Sequence, residues 1–476
     1  MKQYSYVNGD FLGASDERIE LEVPSPPTWG RAQILVQASK EDLDFAVEAA
    51  HQAFLAHRNS KVSTRVKWLL AASEEIERAS KDLADIIVED IGKPRRAALF
   101  EVGRVVEFLR ATATCLPSLH GEAFSFDPAA DGSALFGYTR RVPYGVVAAI
   151  TPFNAPANLL SQKLAPALAA GNAVVVKPHP AGTRTALELA RMFGQAGLPA
   201  GLFNVVVGDV EPAKQLAAHN KVAAITFTGG CAAGDSLVRA AGAKKFVAEL
   251  GANAANIVLA DADLADAATR IARAAFEASG QQCISAQRII VEDAVWDEFC
   301  SRFVDAAKSL KSGDPREPDT DLGPMISVKQ AQRVMAMVED ALAKGAEALL
   351  MPRIDGCVVS PGVLAHVPKN SRIWCEEVFG PIAALTRVSS PEEALSVAND
   401  SEFGLQSAVF TRNLGRADQF ARGLETGSLW INEASRFRLD TYPFGGVKRS
   451  GFGREGVKYA LDEMSQLQFV GIRPVY

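Results

Sequence analysis

Apolar positions along this chain follow two different periodicities, and the switch between them outlines its architecture. From Lys40 to Ile91 they recur at near-helical spacing, with Phe45, Ala49 and Ala53 in one run and Leu69, Ile76, Leu83 and Ile87 in the next. This stretch predicts a helical opening layer, stopped by Gly92-Lys93-Pro94. Between Tyr144 and Leu259 short β-branched runs alternate with helical stretches. Strands are expected at Gly145 to Ile150, Ala173 to Lys177, Phe203 to Val207 and Ala223 to Phe227, and helices through Leu168, from Thr183 to Gln195 and near Pro212. That alternation is the mark of a parallel, doubly wound sheet, which binds ligands at the carboxyl ends of its strands. A second alternating region runs from Asn256 to about Trp430, with strands at Arg288 to Val291, Ala383 to Val388 and Ser407 to Thr411, and predicts a second α/β domain. Two segments fit neither: Gly121 to Arg141, with alternating Ala134, Phe136 and Tyr138, and the tail Phe469 to Tyr476. A hairpin and a terminal strand outside the cores are candidate oligomer contacts.

Composition narrows the class of function. The 476 residues, 48% of them hydrophobic, suffice for large cores and for two or three domains. Fifty basic against 56 acidic residues leave a net charge of −6, without a basic block, so nucleic acid is not an expected partner. Residues 1–13 are polar and lack an apolar signal core, and no apolar run is long enough to span a bilayer. A soluble, cytoplasmic protein is expected. The six cysteines, at 115, 231, 283, 300, 357 and 375, are scattered without a Cys-x-x-Cys pair, so neither a disulfide framework nor a metal site is expected.

Candidate chemistry centres on Cys283 in Ser279-Gly280-Gln281-Gln282-Cys283-Ile284. Glu249 opens Glu249-Leu250-Gly251 upstream, and Asn154 closes Pro152-Phe153-Asn154. A thiolate can attack an aldehyde carbon, an amide beside a backbone N–H can hold the oxyanion, and a carboxylate can activate water. Those roles suit oxidation of an aldehyde to an acid. Each residue also has an ordinary reading: a small buried hydrophobe, a solvated strand-end charge, a turn residue after proline. A cysteine hydrolase usually pairs its thiolate with histidine, and the histidines at 51, 57, 120, 179, 219 and 366 sit in none of these motifs. Gly451-Phe452-Gly453-Arg454-Glu455-Gly456 spells a dinucleotide fingerprint but follows Lys448-Arg449-Ser450 rather than an apolar strand, so it reads as a loop.

Motifs in order from about residue 90 to residue 456 resemble those of the aldehyde dehydrogenase superfamily. They include Ile150-Thr151-Pro152-Phe153-Asn154, Pro166-Ala167-Leu168-Ala169-Ala170-Gly171-Asn172, Phe227-Thr228-Gly229, Glu249-Leu250-Gly251, the Cys283 segment, Glu376-Glu377-Val378-Phe379-Gly380-Pro381 and Pro443-Phe444-Gly445-Gly446. The resemblance implies a Rossmann-type doubly wound cofactor domain over residues 1–117 and 142–248 and an α/β catalytic domain over 249–449. It further implies a small β oligomerisation arm and tail over 118–141 and 450–476, in a homodimer or homotetramer. Cys283 is implied as nucleophile, Glu249 as the base that hydrolyses the thioester, and Asn154, with the Cys283 N–H, as oxyanion donor. Thr151, Pro152, Phe153 and Leu250 are implied to line the nicotinamide cofactor and Lys177 to contact its adenosine ribose. Gly229 and Gly234 are implied to face the pyrophosphate, Glu377 to bind the nicotinamide ribose and Phe379 to pack beside the nicotinamide.

Departures from the family pattern bear on specificity. Many NAD-preferring relatives carry Glu three residues after the strand-end lysine, where this chain has Pro180; the expectation leans to NAD and leaves NADP open. Gly230 replaces a frequent serine, and the backbone donors survive that change. Alignment to the family's pocket positions puts Arg438, Gln162, Leu159 and Phe444 at the substrate. Arg438, in Phe437-Arg438-Leu439-Asp440, resembles the branch acting on lactaldehyde, glyceraldehyde phosphate or phosphonoacetaldehyde. An arginine there can hold an anionic group through two N–H bonds or form an internal salt bridge with Asp440 or another acid. A small polar or anionic aldehyde is the expected substrate. The alternatives are an enzyme for aromatic or aliphatic aldehydes and a non-catalytic binding protein on the same fold.

Overall fold

The computed structural model describes residues 2–13, 18–26, 30–125 and 136–473. Its largest sheet has eight strands in the order Gly451–Phe452, Lys245–Glu249, Val222–Thr228, Val146–Thr151, Ala173–Pro178, Phe203–Val205, Tyr6–Val7 and Asp10–Phe11. The five strands from Lys245–Glu249 to Phe203–Val205 are parallel. Every residue of Val146–Thr151 and Ala173–Pro178 is buried, as a strand covered by helices on both faces requires. Antiparallel strands flank them at both ends. The doubly wound reading therefore holds, with strand ends within a few residues of those expected.

The helical layer Lys40–His57, Val62–Arg78 and Ser80–Ile91 is present, and Gly92 ends it in a left-handed cap at φ 68°. A further helix, Arg95–Cys115, was not read from the pattern. It packs against Val62–Arg78 and Pro156–Ala170 through one broad face, and carries Glu101 and Arg104 toward the site described below.

The second sheet has seven strands in the order Glu347–Leu350, Gly362–Ala365, Ile382–Val388, Ala286–Glu292, Ala254–Val258, Gln406–Phe410 and Ser428–Ile431. All but the first are parallel. Only Leu250 to Asn253 separates the last residue of one parallel sheet, Glu249, from the first strand of the other, so the carboxyl ends of the first sheet's strands meet the amino ends of the second's at a common junction.

Ala123–Ser125, Phe136–Pro143 and Ser465–Ile472 form a third, three-stranded sheet. The terminal strand lies four residues earlier than its expected start, because Ser465 to Ile472 pairs residue for residue with Phe136 to Pro143. Ala134 and residues 474–476 lie outside the described residues. Gly451–Phe452 belongs instead to the large sheet, and helix Val457–Glu463 packs on Pro156–Ala170.

Candidate active site

Cys283 follows an unusual turn. Ala278, Ser279 and Gly280 all have left-handed backbones, at φ 53°, 57° and 63°, a conformation L-residues adopt only when their surroundings impose it. Here the imposing contacts are visible. Ser279 Oγ donates to Gly323 O at 2.6 Å, and Gln281 Oε1 accepts from Ile326 N–H at 2.9 Å. Gly280 faces Gly380 so closely that a Cβ would stand 2.2 Å from the Gly380 carbonyl oxygen. Asn154 Nδ2 donates to Gln281 O at 2.9 Å, which brings the first sheet's loop to within two residues of the cysteine. A side-chain amide has two hydrogens, so one donor of Asn154 remains.

The Cys283 side chain packs against Ala252, Ile284, Leu405 and Phe444. Burial, and then the charges of Glu249 and Glu377, push its thiol up to about 12. No histidine is among the groups acting on it.

Glu249 ends the strand Lys245–Glu249 and is buried, and neither carboxylate oxygen has a hydrogen-bond partner among the described residues. Burial and the neighbouring Glu455 charge raise its carboxyl well above the ordinary range. Arg438, Lys163 and Arg454 act in the opposite direction. Gly445 closes in on it, since a Cβ there would lie 3.0 Å from Glu249 Oε1. The declined glycine-rich motif thus serves as a wall: Gly451 pairs with Glu249 along the sheet edge, and Glu455 sits in the charge network.

At the carboxyl ends of the first sheet, Thr151 is buried and the Phe153 ring leans on His179 at 5.1 Å and meets Phe379 edge-on at 5.9 Å. Pro152 joins them, and its carbonyl lies close to Gly182. Lys177 is buried, which lowers its ammonium to about 8 against the raising effect of Asp209. Ala181 N–H donates to His179 Nδ1 at 3.1 Å, and burial holds that imidazole neutral, at about 4. Pro180 begins the short turn Pro180–Gly182 beside it.

Gly229 and Gly234 bracket the start of helix Cys231–Ala241, and their own N–H groups are engaged within the protein. Gly229 N–H donates to Glu249 O at 3.0 Å, and a Cβ on Gly229 would strike the Phe227 ring. Gly234 N–H bonds Gly230 O within the helix, and a Cβ on Gly234 would strike Leu250 at 2.6 Å. Both glycines make room for neighbouring side chains. The donors open to an anion belong to the first turn of helix Cys231–Ala241. Leu250 donates its N–H to Ser450 O. Glu377 accepts from Ala252 N–H at 3.0 Å, and burial raises it to about 7. Arg333 holds its loop by donating to Glu377 O and Val378 O.

Of the two arrangements open to Arg438, the internal one is present. Its NH2 donates to Glu455 Oε2 at 3.0 Å and to Gln162 Oε1 at 2.6 Å, and its guanidinium lies 3.6 Å over the Phe444 ring. The internal salt bridge is the arrangement present, with Glu455 as partner and Asp440 at 4.0 Å. Gln162 Nε2 donates to Asp440 at 2.9 Å, which Arg104 also grips. Lys163 completes the chain by donating to Glu455 at 2.8 Å. Leu159 and Phe444 are buried beside these groups, Phe444 between Arg438 and Cys283. Sequence reasoning missed Arg104, Arg436, Lys163, Asp440 and Glu455 as members of the site. Arg436 grips Gln282, the neighbour of Cys283, and pairs with Glu277. The signal was the charge-dense Arg436-Phe437-Arg438-Leu439-Asp440, whereas nothing local links it to Arg104 or Lys163.

Among the described residues all six cysteines are free, and no group of acidic, cysteine or histidine residues is placed to hold a metal. No described helix is long and apolar enough to cross a membrane.

Comparison with known proteins agrees with this geometry. The aldehyde dehydrogenase family model matches residues 13–470. A 3-sulfolactaldehyde dehydrogenase of Priestia megaterium is 38% identical over 472 residues, covering 99% of this chain and 98% of its own. A lactaldehyde dehydrogenase of Methanococcus aeolicus is 33% identical, covering 98% of this chain and 99% of its own. The crystal structure of NADP-dependent glyceraldehyde-3-phosphate dehydrogenase from Bacillus halodurans, complexed with NADP, superposes with a TM-score of 0.96 at 32% identity, covering 99% of each chain. A doubly wound sheet whose strand ends meet a partly buried cysteine, an unpartnered glutamate and an asparagine is thus found in a chain that belongs to the aldehyde dehydrogenase family.

Proposed function

We propose that this protein oxidises a small polar or anionic aldehyde to its carboxylic acid with NAD or NADP. The observation that carries the reading is the junction itself, where Cys283, the Asn154-bound turn before it and the unbonded Glu249 converge from both sheets. The cleft also suits the cofactor. A buried Lys177, the open helix start at Cys231 and the facing rings of Phe153 and Phe379 offer a counter-charge, phosphate donors and an aromatic wall. When bound, the nicotinamide supplies the hydride acceptor.

The chain's own residues do the rest. Cys283 Sγ forms a bond to the aldehyde carbon, and its proton passes to solvent or to a carboxylate. The free hydrogen of Asn154 Nδ2 and the Cys283 N–H hold the developing oxyanion. Hydride departs from carbon with its electron pair, leaving a thioester on Cys283. Glu249, once ionised, takes a proton from water; the resulting hydroxide attacks the acyl carbon, and the C–S bond breaks to release the acid.

The named relatives handle sulfolactaldehyde, lactaldehyde and glyceraldehyde phosphate, all small and polar. In the network around the cysteine, Arg104, Arg436, Arg438 and Lys163 face the carboxylates of Asp440, Glu277 and Glu455. Four cations against three carboxylates, beside a Glu249 whose ionisation burial disfavours, suit a substrate carrying negative charge. The proposed division is a cofactor domain over 1–117 and 142–248, a catalytic domain over 249–449, and an arm with the tail. Exposed Phe124, Phe136, Leu467 and Ile472 on the three-stranded sheet support pairing of that arm with another copy, in a homodimer or homotetramer. Free cysteines support a reducing compartment such as the cytoplasm.

The test is reduction of NAD and, separately, NADP across aliphatic, aromatic, hydroxylated and carboxylate-, phosphate- or sulfonate-bearing aldehydes. Highest kcat/KM with a hydroxylated or anionic member is expected. Equal turnover of long alkanals would remove the substrate assignment, and cofactor binding without oxidation of any member would remove the reaction.

A further inference from the structure

Helix Pro156–Ala170 begins two residues after Asn154, and its start has no cap of its own. Its N-cap residue is Ala155, which has no polar side chain, and its first residue is Pro156, which has no N–H. The next two amides, Ala157 N–H and Asn158 N–H, both donate to Glu101 Oε1, at 2.9 Å and 3.2 Å. Glu101 comes from a different helix, Arg95–Cys115, and is buried. Its other oxygen accepts from the ammonium of Lys93, equally buried, just before that helix. Lys93 lines a small cavity together with Phe153, Asn154, Ser279 and Gln281, so the ion pair stands behind the oxyanion donor.

A buried carboxylate receiving two helix-start amides and one ammonium is fully engaged, and removing either partner would leave a buried charge unpaired. Such a group is retained where it defines a geometry. What it defines here is the direction in which the chain leaves Asn154. Asn154 has to aim one hydrogen at Gln281 O and the other at an oxygen on the carbon attacked by Cys283, over a few tenths of an ångström.

We propose that Glu101, held by Lys93, is a positioning residue for aldehyde oxidation: it caps helix Pro156–Ala170 from outside and thereby fixes Asn154 as oxyanion donor. This rests on the reading of Asn154 given above, and the experiment separates the two. Two isosteric pair variants avoid an unpaired ammonium. Lys93→Met/Glu101→Gln keeps an acceptor for the two amides; Lys93→Met/Glu101→Leu has none. The Gln pair is expected to retain kcat within about threefold, whereas the Leu pair loses roughly tenfold to a hundredfold, with cofactor dissociation constants unchanged in both. In an Asn154→Ala background, measured as the single-turnover burst of reduced cofactor, the Gln and Leu pairs are expected to give equal rates, because the residue through which Glu101 acts is gone.

Equal kcat for the two pairs beside a slow Asn154→Ala overturns the role of Glu101. The same Gln-to-Leu loss in the Asn154→Ala background also overturns it, since the effect then travels by another route. Full activity of Asn154→Ala alone instead removes the oxyanion reading. If the Leu pair does not fold, Glu101→Asp, which withdraws the acceptor by one methylene, is compared with the Gln pair on the same readouts. An Asp variant at wild-type rate, with wild-type sensitivity to Asn154→Ala, overturns the proposal.

Discussion

Arg438 donates to Glu455 at 3.0 Å with both side chains almost sealed from solvent, and this pair stands next to the carboxyl of Glu249. Arg438 is the strongest of the cations that pull the Glu249 titration down, and Glu455 is the charge that pushes it up.

Arg438→Met keeps an apolar stem over Phe444 and removes the charge. Glu455 then relies on Lys163, and Gln162 loses a donor. A destabilisation of about 1–3 kcal/mol is expected in denaturant unfolding. The raised Glu249 carboxyl rises further, so the base form appears only at higher pH. The acid limb of the kcat profile should move to higher pH; a limb that stays in place would disconnect Arg438 from Glu249.

Glu249→Gln preserves size and removes the base. Acylation of Cys283 should still produce a burst of reduced cofactor, followed by loss of steady turnover by roughly a hundredfold or more. Rapid-mixing absorbance reads both phases, and an unchanged steady rate would take Glu249 out of the hydrolytic step.

Asp90 supplies a stability prediction away from the chemistry. It is buried, neither of its oxygens is hydrogen-bonded among the described residues, and Arg184 approaches only to 3.2 Å. Burial raises it to about 8. The folded state therefore keeps a proton that the unfolded chain sheds near about pH 4. Stability falls as pH rises between those values, by up to about 1.4 kcal/mol per pH unit from this group, and the whole effect is absent below the lower one. Asp90→Asn should flatten the decline in unfolding midpoint between about pH 6 and about pH 8. A decline as steep as in the parent protein would assign the pH dependence elsewhere.

Gly280→Ala tests the turn before the nucleophile. The backbone at φ 63° disfavours a side chain, and the new Cβ would stand 2.2 Å from Gly380 O. The two loops must separate, which is expected to cost about 1–3 kcal/mol and to lower kcat by at least roughly tenfold through displacement of Cys283. Thermal unfolding and steady-state kinetics measure the two effects; retention of both values would show that the loops part without disturbing the cysteine.

The sequence by itself determined the helix–strand alternation, the two parallel sheets and the candidate trio Cys283, Glu249 and Asn154. Those features are local: a buried parallel strand must read as a short apolar run, and a turn beside a reacting atom needs particular glycines, prolines and polar side chains. Helix Arg95–Cys115 escaped although its buried positions follow one helical stripe, because that stripe includes the charged Glu101 and the polar Thr112, whose burial depends on partners elsewhere in the chain. Only the tertiary structure decided what the charged side chains do. Arg438, Gln162, Asp440 and Arg104 come from segments up to 336 residues apart, and Lys163 and Glu455 are separated by 292. The same holds for Gly229 and Gly234, whose roles depend on where the side chains of Phe227 and Leu250 lie. A charge or a glycine has no periodicity that reveals its partner; its meaning depends on distance and burial, which exist only once the two sheets face each other.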